Sequence, residues 1–290
     1  MLVRLPDLTR ALLECGVGGK SRSVADVALM LEVIAGKDPM DPRQTEIKVE
    51  PYTQALGRDL KGVRLGVLRE GFGLPGAEPD VDAGVSRAIQ VLAALGAEVE
   101  EVTVPAHHQA DGVIWGLIAE GASALMYANG VGYHFRGYYD AGLANSLGRF
   151  RKTQGDDLPP TLKLVLLVGS FLNHHYHGRL YAKAQNMRAS LREAYDAVLQ
   201  QVDALVTPTT PVKALQYEPN LRPRAVIERG WSMLGNTAVF NMTGHPSLSV
   251  PCAMSAGLPV GMMLTGRHFD DAMLLRIADA YERNFDWREC

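Results

Sequence analysis

Two periods of apolar residues alternate along the chain, and the points where one gives way to the other mark its elements. Val24, Val27, Ala28, Leu31 and Ile34 recur at helical spacing and fall on one face. Ser23-Val24-Ala25-Asp26 is an S-x-x-D start signal, in which the Ser side chain can accept from the free N–H groups of a first helical turn. A helix is predicted from Ser23 to Ala35, stopped by Gly36 ahead of the proline-rich turn "KDPMDPR". Val63 to Leu68 is a short apolar run of strand type, and residues 80 to 95 return to the helical period and end at Gly96. "AEVEEVTVP" then alternates at period two until Pro105. Strand, helix and strand at this spacing make a βαβ unit, so the fold class is α/β with a largely parallel or mixed sheet.

Residues 108 to 128 read as a helix, followed by the glycine- and aromatic-rich "NGVGYHFRGYYDAGL", a loop of the kind that covers pockets. From Thr161 to Gln201 the pattern is helical almost throughout, with a break expected at Gly169 or Gly178. "DALVTPTTP" runs a strand into a loop held by Pro208 and Pro211. "WSMLGNTAVFNMTGHP" reads as one helix ending at Gly244, and "SLSVPC" and "LPVGMMLTG" as two strands joined by the loop "AMSAG". Asp270 and Asp271 open the last helix.

Composition narrows the function classes. Of 290 residues 47% are hydrophobic and 21% charged, ample for a large core, and the net charge of −3 comes with no basic block to attract nucleic acid or an anionic membrane. The longest apolar run, "LVLLVG", is too short to span a bilayer. Cys15, Cys252 and Cys290 form no C-x-x-C pair, so neither a disulfide framework nor a structural zinc site is indicated and a cytoplasmic location is expected. "GVGGKS" looks like a phosphate loop, but Glu14 stands where its first glycine should, and its carboxylate would repel a phosphate. The stretch is read as the approach to the first helix.

Candidate chemistry lies in a few places. In "GNTAVFNMTGHP", Asn236, Thr237 and Asn241 offer amide hydrogen-bonding partners beside Phe240; the segment either lines a substrate pocket or caps a core helix. Trp115 and Trp231 are pocket candidates of the same kind, or core aromatics. His174 and His177 stand three apart on a helical face without a carboxylate at matching spacing, so they read as a polar face rather than a metal site, and His107 and His108 likewise. His245 reads as part of a helix stop, with a general-base role as the alternative, and Arg267-His268 with Asp270-Asp271 as a charge-assisted cluster.

The segment from Gly18 to Gly36, "DALVTPTTP", "NTAVFNMTGHPSLSVPC" and "GLPVGMMLTGRHFDDAMLLRIADAYE" together resemble the amidase signature family. "LKGVRLGVLREGFG" and "YHFRGYYD" resemble most its branch that hydrolyses aromatic and aliphatic carboxamides in nitrile breakdown. The resemblance implies a mixed sheet covered by helices, represented by its carboxyl-terminal portion in residues 18–290, with 1–17 unmatched. It implies acyl transfer from a small-molecule amide to water through a Ser nucleophile, activated by a second Ser and a Lys, with no cofactor or metal. This sequence holds no G-G-S-S-G-G-type loop, so no catalytic residue is assigned; Lys20, Ser21 and Ser23 are a poor substitute, Ser23 being a helix cap. The substrate-binding candidates are Trp115, Asn236, Thr237 and Phe240. Two other readings stay open, a non-catalytic scaffold half that requires a second chain and an amidotransferase A-type subunit. Half of a sheet exposes apolar faces, so homo-oligomerisation or association is expected.

Overall fold

The computed structural model describes residues 20–38, 48–132 and 138–289. The expectations for "GVGGKS" up to Gly19, for most of "KDPMDPR" and for "YHFRG" lie outside them. The first helix, α1 (Val24–Ile34), begins where the start signal places it: Ser23 Oγ accepts from the Asp26 N–H at 3.1 Å. Val24, Val27, Ala28 and Leu31 are buried as the period requires, but Ile34 is exposed because it lies in the final turn, past the surface that α1 packs against.

The predicted βαβ unit is present as β1 (Arg64–Leu68), α2 (Pro79–Ala94) and β2 (Glu98–Val102), with β1 and β2 parallel. Three further strands complete a mixed sheet: β3 (Ala204–Pro208), β4 (Ser247–Ser255) and β5 (Leu258–Gly266), in the order β2-β1-β3-β5-β4. β3 lies parallel to β1 and antiparallel to β5, and every residue of it is buried. The hairpin strands run further than "SLSVPC" suggests. They turn through Ala256 and Gly257, both at positive φ, the two-residue geometry that matches the twist of paired strands.

Alternate residues of the strands face opposite layers. Ala204, Val206, Met262 and Leu264 pack with α1, α2 and α9 (Asp271–Asn284), whereas Leu205 and Met263 pack with α3 (Ala110–Tyr127), α6 (Arg179–Val198) and α8 (Gly235–Thr243). The result is a helix, sheet, helix sandwich.

The structure decides one open boundary, in favour of Gly178 over Gly169, and corrects two others. The long helical tract splits at His177 and Gly178, both left-handed, into α5 (Pro160–Tyr176) and α6. Gly169 is no break: it lets α5 lie against α3 so closely that a Cβ there would stand 1.8 Å from the Ala119 carbonyl oxygen. The tract "WSMLGNTAVFNMTGHP" is not one helix, because α7 (Pro223–Ser232) ends at Trp231–Ser232 and α8 starts again at Gly235. A further helix, α4 (Ala141–Thr153), follows an Asp140 cap inside the tract read as loop.

Candidate functional site

The carboxyl ends of β1, β2 and β3 open onto one buried polar network, in the place where parallel sheets gather functional groups. After β1 comes Glu70, whose Oε2 accepts from the Val104 N–H at 3.0 Å and whose Oε1 accepts from the Thr103 hydroxyl. Burial alone would raise this carboxyl, but those hydrogen bonds outweigh it and hold it below its usual 4.5. A single turn after β2, Pro105–Gln109, delivers His107 into the interior. Asn236, in the first turn of α8, donates both amide hydrogens, to the Gly71 carbonyl at 2.9 Å and the Pro208 carbonyl at 2.8 Å. One side chain thus ties the end of β1 to the end of β3.

This arrangement dictates the protonation of His107. With both Asn236 hydrogens spent on carbonyls, its Oδ1 is the atom facing His107 Nε2 at 3.0 Å, so Nε2 carries the proton and donates. Nδ1 is then the acceptor for the Tyr195 hydroxyl at 2.5 Å. Burial pushes the imidazole pKa down from 6.5 and the Tyr195 phenol up from 10.0, which keeps both groups neutral and the network intact.

A layer outward, the Trp115 and Trp231 rings lie 4.3 Å apart at a 32° tilt, both partly buried. The Trp231 indole N–H, shielded from solvent, meets no acceptor among the described residues. Phe240 is buried in the same apolar cluster, edge-on to Tyr195 at 5.1 Å, and the Thr237 hydroxyl donates to the Leu234 carbonyl. The candidate residues therefore divide. Asn236 and Phe240 are scaffold, every amide hydrogen of Asn236 being used within the protein, while Trp115 stands at a partly open position and brings Trp231 with it.

Other candidates are placed as clearly. His177 leaves the helix at φ 54°, so the spacing argument for a His174–His177 pair fails, and His174 stacks edge-on to His175. Ser21 Oγ donates to Asp26 and Ser23 Oγ accepts from the Asp26 N–H, so both hydroxyls serve the start of α1. Arg267 does meet Asp270 at 3.1 Å, and also binds Asp203 at 2.7 Å and the Leu199 and Val202 carbonyls, clamping the turn after β5 to the start of β3. Glu70 and Tyr195 carried no sequence signal beyond the run-out of a strand and a helical period. No described helix is long and apolar enough to cross a membrane.

A sequence model of the family described as Amidase matches residues 13–275. The chain belongs to the amidase signature family. It is 40% identical over 268 residues to an enantioselective amidase of Rhodococcus rhodochrous, covering 90% of this chain and 52% of that protein. It is 37% identical over 279 residues to the A-type subunit of the glutamyl-tRNA(Gln) amidotransferase of Roseiflexus sp. (strain RS-1), covering 93% and 54%. Among solved structures, the corresponding amidotransferase protein of Thermotoga maritima superposes with a TM-score of 0.67 at 26% identity over 91% of this chain and 51% of that one. A 6-aminohexanoate cyclic dimer hydrolase gives 0.71 at 22% identity over 92% and 54%, a likeness of fold. This amidase-signature chain spans about half the length of the curated relatives it matches.

Proposed function

We propose that the chain forms the carboxyl-terminal part of an amidase-signature hydrolase that converts small carboxamides to carboxylate and ammonia. The observation that carries the reading is the 40% identity to the enantioselective amidase, against 37% to the amidotransferase relative. In this reading a Ser nucleophile from the Gly/Ser-rich half of the fold attacks the amide carbonyl, backbone N–H groups stabilise the oxyanion, ammonia leaves, and water releases the acid. That half is not in this sequence.

The share of the work assigned to this chain is the wall of the acyl pocket. Trp115 and Trp231 offer an aromatic surface, with the Trp231 N–H as a donor to a substrate acceptor. Thr237 lies on the same helix as Asn236 and Phe240, and that helix packs against α3, which carries Trp115. A cytoplasmic site of action belongs to the same proposal. The amidotransferase relatives favour a second reading, in which the chain works as an A-type subunit with a stable partner.

The test is ammonia release from aromatic and aliphatic carboxamides, with glutamine alongside, by the folded chain alone and after co-expression with a polypeptide carrying the family's Ser-Ser-Lys half. Hydrolysis of aromatic amides by the pair, and by neither part alone, is the expected result. Release confined to glutamine transfers the chain to the second reading, and a folded pair inactive on every amide leaves a scaffold. Hydrolysis by the chain alone that Ser21→Ala or Ser23→Ala abolishes would overturn the location of the nucleophile.

A further inference from the structure

At the opposite end of β3 from the Asn236 network, three separate elements bring Asp196, His245 and His268 together. Asp196 comes from the last turn of α6, His245 from the turn between α8 and β4, and His268 from the turn between β5 and α9. Their donor atoms all lie within 4.8 Å of one another. Asp196 Oδ1 stands 3.1 Å from His245 Nε2 and 3.6 Å from His268 Nε2. Nitrogen and oxygen ligands held tetrahedrally at roughly 2.0–2.2 Å from zinc are about 3.4 Å apart, between the two distances seen. From this geometry we propose that Asp196, His245 and His268 form a binding site for a divalent transition cation, with zinc the preferred occupant.

The surroundings suit that role independently of any amide chemistry. Thr243 Oγ1 lies 2.9 Å from His245 Nδ1, which turns Nε2 toward the carboxylate, the outer hydrogen bond that orients a ligating imidazole. His268 is held from both sides: Arg267 is anchored to two carbonyls and Asp203, and Phe269 sits at φ 65°. The two imidazoles lie 4.3 Å apart at a 32° tilt, with both Nε2 edges on the same carboxylate oxygen. Arg192 approaches the other oxygen, Oδ2, at 3.6 Å, so Oδ1 is the one turned inward.

The Tyr195 and Phe240 rings, 5.9 and 6.4 Å from His245, form an apolar back wall. The His245 side chain is fully buried, whereas Asp196 is 41% exposed, so the site opens on one side and leaves a position for water. Two imidazoles with one carboxylate suit zinc, and a hard oxygen-seeking ion such as magnesium less well. Bound there, the ion would join the end of α6 to both strands of the β4–β5 hairpin.

The experiment is calorimetric titration of the chelator-stripped chain with zinc, combined with thermal unfolding and X-ray absorption of the zinc-loaded protein. One zinc per chain, a raised unfolding midpoint and a shell of nitrogen and oxygen with two imidazoles are expected. Asp196→Ala and His268→Ala, whose side chains reach solvent, should each weaken binding at least about tenfold and remove the thermal shift, while their metal-free circular dichroism matches the parent. Absence of binding, or binding unchanged in both variants, overturns the site. Sulfur in the zinc shell would do so as well, even where a variant failed to fold, by moving the metal to the cysteines.

Discussion

At the scale of single residues, the Asn236–His107–Tyr195 chain converts a question of burial into one of protonation. The amide of Asn236 can satisfy the Gly71 and Pro208 carbonyls only by presenting its oxygen to His107, and a cationic imidazole would leave Nδ1–H pointing at the Tyr195 hydroxyl, which would then have to reverse. Because burial depresses the folded-state pKa of His107 below 6.5, the unfolded chain takes up this proton at a higher pH than the native one. The stability it confers is full above 6.5 and declines as pH falls toward the lowered folded value. Glu70, also lowered, adds a separate loss only below 4.5. Denaturant unfolding at about pH 7.5 and about pH 5.5 should therefore show a drop in the parent that is smaller in His107→Gln; equal drops would exclude His107 as its source.

Between elements, glycine permits close approach in one place and a change of direction in another. Gly169 lets the α5 backbone reach the Ala119 carbonyl and the Ser123 hydroxyl of α3, so a methyl group there must push two helices apart. Gly169→Ala is expected to lower unfolding free energy by about 3 kcal/mol, the upper end for overpacking, whereas Gly178→Ala acts through strain at φ 79° in an open position. Equal and small losses for both in denaturant titrations would mean that α3 and α5 separate without resistance. Both glycines stand in one tract of helical pattern, and a glycine in such a pattern marks either as a break. The distinction needs the partner helix, because only the α3 backbone shows that one glycine is a contact and the other a turn.

For the whole molecule, the exposed apolar stripes are the main liability. Leu29 and Val33 project from α1 at 58% and 78% exposure, and Leu167 and Phe171 from α5 at 71% and 56%, each pair one turn apart. Sedimentation of the isolated chain should show concentration-dependent association that Val33→Glu with Leu167→Glu reduces; a compact monomer at all concentrations would contradict it. The five strands in their chain order, the βαβ unit, the α1 cap and the family were legible in the sequence because each rests on spacing or motif within a short stretch, whereas α4 and the break between α7 and α8 were not. Tertiary structure alone decided that Asn236 faces inward to two strand ends, that His107 and Tyr195 share a proton-defined contact, and that Asp196, His245 and His268 meet. Those contacts join residues remote in the chain, and they depend on where backbone carbonyls and neighbouring helices come to lie, which local side-chain patterns do not encode.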